Sequence, residues 1–281
     1  MKTSTFLLLL LLISAKSIAQ YDCGSFEGCY NVGYGAYEES NFEGAIGYLS
    51  NAISLWKKED GTQKLISAYE YRAKSYFENF SFEEAINDCN KIIELDKSYV
   101  EVYRLRGSVY EKQASYPDAI ADYTKAIERE NQAGDYALRG IAYGKFEKFD
   151  EAIKDLSKAI ELDSTWVDYY LKRAQVFILA EKYEDALNDA SKAQDLNAII
   201  PDPYTISATA YIKMGKLDLA LEQIENAITF APEEAQLYAT RGLINYKLNK
   251  NENAIADLKK AAEMGFDEAK TYLKSLFNIE Y

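Results

Sequence analysis

The sequence predicts an all-α solenoid of stacked antiparallel helix pairs, on three observations. Seven alanines, Ala45, Ala85, Ala119, Ala152, Ala186, Ala220 and Ala254, recur at spacings of 40, 34, 33, 34, 34 and 34 residues. Such self-similarity is the mark of a repeat architecture. Each period holds two amphipathic runs with apolar residues three and four apart, joined by a short polar turn. In the third period Val102–Lys112 and Pro117–Ile127 flank the turn Gln113–Tyr116. The composition is that of a packed chain: 48% hydrophobic, 27% charged and 4 Pro in 281 residues. A stack of this length needs no single central core, because each unit packs on its neighbours.

The N-terminus reads as a targeting segment. Lys2 precedes the apolar run Phe6–Ile13, and Ser17-Ile18-Ala19 supplies small residues before a cut. Residues 1–19 are therefore expected to be a cleaved signal peptide, with 20–25 a short lead into the first repeat. The apolar run is far below the ~20 residues of a spanning helix, so no membrane insertion is expected, and the mature protein is placed in the periplasm or outside the cell. Export makes a Cys23–Cys29 disulfide feasible. Cys89 falls in a core place of its repeat, where a buried, inert thiol is expected. Losing Lys2 and Lys16 takes the net charge from −13 to −15. An acidic body argues against nucleic acid as a partner.

The ladder aligns seven units: 26–59, 66–99, 100–133, 133–166, 167–200, 201–234 and 235–268, with 269–281 as a C-terminal capping helix. The third and fourth units share a residue because one is missing near Asn131–Asp135, and Asp60–Leu65 are extra. The fourth place of each later unit is Tyr69, Tyr103, Tyr136, Tyr170, Tyr204 or Tyr238. Four places on stand Ala73, Gly107, Gly140, Ala174, Ala208 and Gly242, and a further aromatic follows at Tyr76, Tyr110, Tyr143, Phe177 and Tyr211. A ring one turn before a small residue lets a neighbouring helix approach closely. Ser81 and Glu84 are spaced as a capping box.

At 34 residues per helix pair, this order of large, small and aromatic, then small and small, resembles the tetratricopeptide repeat. The resemblance covers about 26–268. It implies a right-handed superhelix whose first helices line a concave groove, and a binding scaffold with no cofactor.

The copies can also be compared with one another. Place seven holds Arg72, Arg106, Arg139, Arg173 and Arg241, and place twenty-three holds Asp88, Asp122, Asp155, Asp189 and Asp257. The two units without the arginine (Val32, Ser207) also lack the acid (Tyr48, Gln223). Joint gain and loss predicts five structural Arg–Asp pairs bridging the hairpins rather than an anion-binding ladder.

With no histidine in the chain, serine and cysteine triads and histidine-based zinc sites are excluded. Gly140–Lys145 is a poor phosphate loop, with Phe146 in place of Ser or Thr. No catalytic, metal or cofactor residues are expected. The resemblance places inner-face candidates at Tyr30, Tyr34, Tyr37, Phe77, Arg104, Lys112 and Lys145, with Glu111, Leu171 and Ile178 beside them. The Lys/Asn/Arg clamp of family members that capture C-terminal carboxylates is not met, since its slots begin with Tyr30 and Tyr34, or Glu70 and Lys74. The tyrosines serve a peptide ligand, or else they cover the exposed end of the stack or pack under residues 20–25. The function expected is a non-catalytic, exported protein- or peptide-binding scaffold, serving envelope assembly or protein folding. The alternative is a structural solenoid that self-associates through its ends, its tail docking through Leu276, Phe277 and Tyr281.

Overall fold

The computed structural model describes Tyr21 and residues 23–281. The expected signal peptide lies outside the described residues. Those residues form fifteen α-helices and no strand, a helical repeat fold. The chain divides into two compact units, one ending at Asn131 and one spanning Gln132–Tyr281.

The first unit holds three hairpins: α1 Phe26–Glu38 with α2 Phe42–Leu55, α3 Thr62–Glu78 with α4 Phe82–Leu95, and α5 Val100–Lys112 with α6 Tyr116–Glu130. The second holds α7 Ala133–Lys145 with α8 Phe149–Leu162, α9 Val167–Leu179 with α10 Tyr183–Leu196, α11 Asp202–Lys213 with α12 Leu217–Phe230, and α13 Ala235–Lys247 with α14 Asn251–Glu263. The helix α15, Asp267–Phe277, closes this second unit and begins two residues before the expected 269. First helices of successive repeats touch one another, α1 with α3 and α3 with α5 in one unit, α7 with α9 and α9 with α11 in the other. They form the inner row of each unit. The extra residues Asp60–Leu65 follow and complete a 3-10 turn, Lys58–Asp60, at the end of the first repeat, and lengthen α3 to 17 residues.

Every ladder alanine is fully buried. The small residue at place eight is matched to place twenty-four on the second helix. Where place eight is glycine, a large side chain fills the gap: Leu49 against Gly33, Tyr123 against Gly107, Leu156 against Gly140 and Leu258 against Gly242. Where it is alanine, place twenty-four is Cys89, Ala190 or Ile224. The tyrosine at place four needs its hydroxyl as well as its ring. Tyr103, Tyr170 and Tyr238 donate to the carbonyls of Lys97, Ser164 and Pro232 at 3.0, 3.3 and 3.0 Å, satisfying acceptors in the turn that precedes each repeat.

All seven hairpin turns share one solution. The residue at place fifteen is left-handed: Ser40, Phe80, Ala114, Glu147, Glu181, Gly215 and Asn249, with φ between 57° and 74°. The next N–H then reaches back to the carbonyl at place eleven, as in Ser81 to Tyr76 at 2.8 Å and Lys148 to Tyr143 at 2.9 Å. This is the Schellman closure of a helix C-terminus. It overturns the capping box expected at Ser81 and Glu84: Ser81 makes no side-chain cap, and its N–H, which Glu84 would have accepted, is already spent on Tyr76. Side-chain caps form instead at Ser25 and Asn41, each accepting from the N–H three residues on at 3.1 Å.

Candidate functional site

The five arginines lie within the fold and not on the inner face. Each guanidinium grips the carboxylate sixteen residues on through Nε and Nη2. The distances are 2.7 and 2.7 Å for Arg72–Asp88, 2.8 and 2.7 Å for Arg106–Asp122, 2.7 and 2.9 Å for Arg139–Asp155, 2.7 and 2.7 Å for Arg173–Asp189, and 2.9 and 2.6 Å for Arg241–Asp257. The aspartates are buried, so the two-point geometry is what offsets their desolvation. At Asp88 burial still wins over Arg72 and raises the carboxyl above its ordinary range. Aromatic places four and eleven sandwich the cation, with Arg139 5.7 Å from the Tyr136 ring and 5.9 Å from Tyr143. In three pairs Nη1 reaches one repeat back: Arg72 to Ser50 at 2.9 Å, Arg106 to Asn90 at 2.5 Å and Arg173 to Ser157 at 2.8 Å. A cleft of about 600 Å³ lined by Tyr136, Arg139, Tyr143 and Asp155 occupies these same packing places.

The inner face of the first unit is different. Tyr30 and Tyr34 stack with ring centres 6.4 Å apart, one turn apart along α1. Tyr71, from α3, sits among them: 6.5 Å from Tyr30, 4.8 Å from Tyr34 and 5.4 Å from Tyr37. Tyr34 is exposed, and Tyr30, Tyr37 and Tyr71 are half-buried. Burial, helped by the neighbouring phenols of Tyr34 and Tyr30 and the carboxylates of Glu70 and Glu38, pushes the Tyr71 hydroxyl up to about 12. Burial also raises Tyr30. The Lys74 ammonium lies 5.0 Å above the Tyr71 ring and 2.6 Å from Glu70. Buried Glu70 also accepts from the Tyr99 hydroxyl at 2.5 Å, tying α3 to the start of α5.

Other candidates fall elsewhere. Phe77 does not join the tyrosines; its ring contacts Phe82 at 6.2 Å, and Tyr71 takes the position expected of it. Arg104 is held by Glu101 at 3.1 Å and Glu130 at 2.5 Å. Lys112 and Lys145 are the last residues of α5 and α7, where a cation complements the helix dipole; Lys213 and Lys247 end α11 and α13 in the same way. Glu111 accepts from the buried Tyr123 hydroxyl at 3.3 Å. Leu171 is buried in the core with Ala174 and Ala190, whereas Ile178 lines a shallow groove of about 330 Å³ with Leu179, Thr205 and Thr209.

The tyrosines are not packed under the described part of the lead. Tyr21 crosses to the second helix, its ring edge-on to Tyr48 at 4.9 Å and its carbonyl accepting from Asn51 at 2.8 Å. A Cβ at Gly47 would lie 2.5 Å from that ring. The disulfide Cys23–Cys29, with Cα atoms 5.0 Å apart, holds the lead against the start of α1. At the other end, Phe277 and Ile279 pack on the core formed with α14, and the Tyr281 hydroxyl donates to Glu263 at 2.8 Å. The tail is thus occupied by its own repeat. Among the described residues no three His, Cys, Asp or Glu side chains converge to hold a metal ion, and no helix is long and apolar enough to cross a membrane.

Two family models described as tetratricopeptide repeat match the chain, over residues 207–270 and 136–165. Among curated proteins, none matches it by sequence. Among solved structures, a tetratricopeptide repeat protein from Parabacteroides merdae superposes with a TM-score of 0.71 at 21% identity, covering 89% of this chain and 97% of that one. The C-terminal part of a repeat-containing protein from Cytophaga hutchinsonii gives 0.66 at 20% identity, over 84% and 95%. YrrB, described as a repeat protein of this kind with an unusual peptide-binding site, gives 0.52 at 20% identity, over 63% and 95%.

Proposed function

Because the chain is a tetratricopeptide repeat protein, we propose that it is a non-catalytic scaffold that holds a peptide or protein segment on the inner face of its first repeats. The observation that carries this reading is the four-ring set Tyr30, Tyr34, Tyr37 and Tyr71. Tyrosines offer rigid, amphipathic contact area at small entropic cost. Here they stand partly exposed on a face that the described part of the lead does not occupy. YrrB's peptide-binding site supports such a use of the fold.

The scaffold works outside the cytoplasm, in the periplasm or beyond the cell, in envelope assembly or protein folding. The basic, apolar and small-residue order of residues 1–19 supports export. The Cys23–Cys29 bridge supports it too, since such bonds persist in oxidising compartments.

The test is retention of partners from an envelope extract by the mature protein and by Tyr34→Ala/Tyr37→Ala, each checked for native helicity. A partner held by the wild type and lost by the variant is expected. Equal retention by both refutes the inner-face reading.

A further inference from the structure

Comparison of the repeats singles out one more feature of the tyrosine face. Place thirteen ends each first helix. It is lysine in four repeats, Lys112, Lys145, Lys213 and Lys247, and Leu179 in one. In the two repeats that build the tyrosine face it is glutamate: Glu38 ends α1 and Glu78 ends α3. A carboxylate at a helix C-terminus opposes the dipole, and a lysine there favours it. These two repeats therefore carry the locally unfavourable charge where the others carry the favourable one.

Glu38 is four residues after Tyr34, and Glu78 is seven after Tyr71 and four after Lys74, so each shares a helix face with the rings. The Glu38 charge is felt at the Tyr71 hydroxyl. Both glutamates are exposed, and among the described residues neither has an ion-pair partner. The other carboxylates of this face are neutralised, Glu27 by Lys64 and Glu70 by Lys74. The net charge left at its rim is negative. Lys74 shows what the rings accept, since its ammonium already rests on one face of Tyr71.

We infer that the segment bound here is basic, seating a lysine or arginine side chain against Tyr34 and Tyr37 with Glu38 and Glu78 as its counter-charges. This rests on the inner-face reading above and names the partner's chemistry. It reverses the charge logic of a carboxylate clamp: the face is built for a cation, not an anion.

The test uses three pools of ten-residue peptides, fixed at alternate positions as Lys/Arg, Asp/Glu or Ser/Gln and randomised among uncharged residues elsewhere. Binding to the mature protein is read by fluorescence anisotropy at two salt concentrations. The basic pool is expected to bind at least about tenfold more tightly than the others, and more weakly at high salt. Glu38→Lys/Glu78→Lys should remove that preference while leaving the thermal midpoint equal or higher, because it restores the dipole-favoured charge. Binding that is blind to peptide charge yet lost in Tyr34→Ala/Tyr37→Ala overturns this inference alone. Preference for the basic pool that survives the charge reversal also overturns it. Failure of every pool to bind overturns both this inference and the reading beneath it.

Discussion

Gly107 faces Tyr123 across the third hairpin so closely that a Cβ on the glycine would lie 2.6 Å from the ring. Tyr123 is fully buried and cannot withdraw. Gly107→Ala should therefore destabilise the protein by roughly 1–3 kcal/mol through overpacking, although alanine is the better helix former. Gly35, in α1, meets nothing within 4 Å, so Gly35→Ala should stabilise by about 0.5–1 kcal/mol. Urea unfolding of the two variants checks the opposite signs.

Asp122→Asn should lower the thermal midpoint. The Arg106 guanidinium would keep its contact with Asn90 and at most one bond, to the new amide oxygen, but lose its counter-charge and the second bond, leaving a part-buried cation uncompensated at a cost of about 3 kcal/mol. Calorimetry of the variant measures this. An unchanged midpoint would show that the pair contributes nothing net.

The left-handed turn residues predict a second pair of opposite signs. Ala114 holds φ 57° where Gly215, in the equivalent place, holds 74°. A side chain in that region costs about 1–2 kcal/mol, partly offset by glycine's larger unfolded-state entropy. Ala114→Gly should stabilise by roughly 0.5–1 kcal/mol and Gly215→Ala should destabilise by about as much. Thermal melts of the two variants decide it.

Tyr71 should be a late-titrating phenol. Its folded value is pushed from 10.0 to about 12. The stability that its neutral form contributes is therefore complete below pH 10 and is lost as pH rises from there through about 12. Ultraviolet titration should show one tyrosine fewer ionising near pH 12 in Tyr71→Phe, and that variant should lose less stability over the same window.

Cys89 should resist thiol reagents. Burial raises its thiol to about 12, so at neutral pH the thiolate is scarce and the sulfur out of reach. Mass spectrometry after alkylation should find Cys89 modified only once the protein is unfolded.

The repeat frame and the Arg–Asp places were legible because the chain carries seven copies of one solution, and copies can be aligned with each other. The third guanidinium bond escaped that comparison, since its acceptors at Ser50, Asn90 and Ser157 differ in type. The turns escaped for a related reason. Six of the seven left-handed positions are Ser, Phe, Ala, Glu, Glu and Asn, which share no chemistry, because closure comes from the backbone bond to place eleven. Tyr71 escaped because it holds place six, whereas the candidates Tyr30, Tyr34 and Tyr37 hold places five, nine and twelve, yet the turn of α3 brings that ring between Tyr34 and Tyr37. Glu38 and Glu78 were readable all along, but only as exceptions to a lysine that was itself taken for a binding residue.

The arginine that reaches one repeat back has a mechanical meaning. A row of units, each fastened to its predecessor, parts where a fastener is missing. In the sixth repeat Ser207 replaces the arginine, and its hydroxyl turns inward to the Pro203 carbonyl at 2.9 Å. Within the second unit, α11 therefore meets α10 by apolar contact without that polar tie. Under denaturant or pulling force this seam should open before the α8–α9 seam, which the Arg173–Ser157 bond ties, and hydrogen exchange should find the amides on either side of it losing protection together.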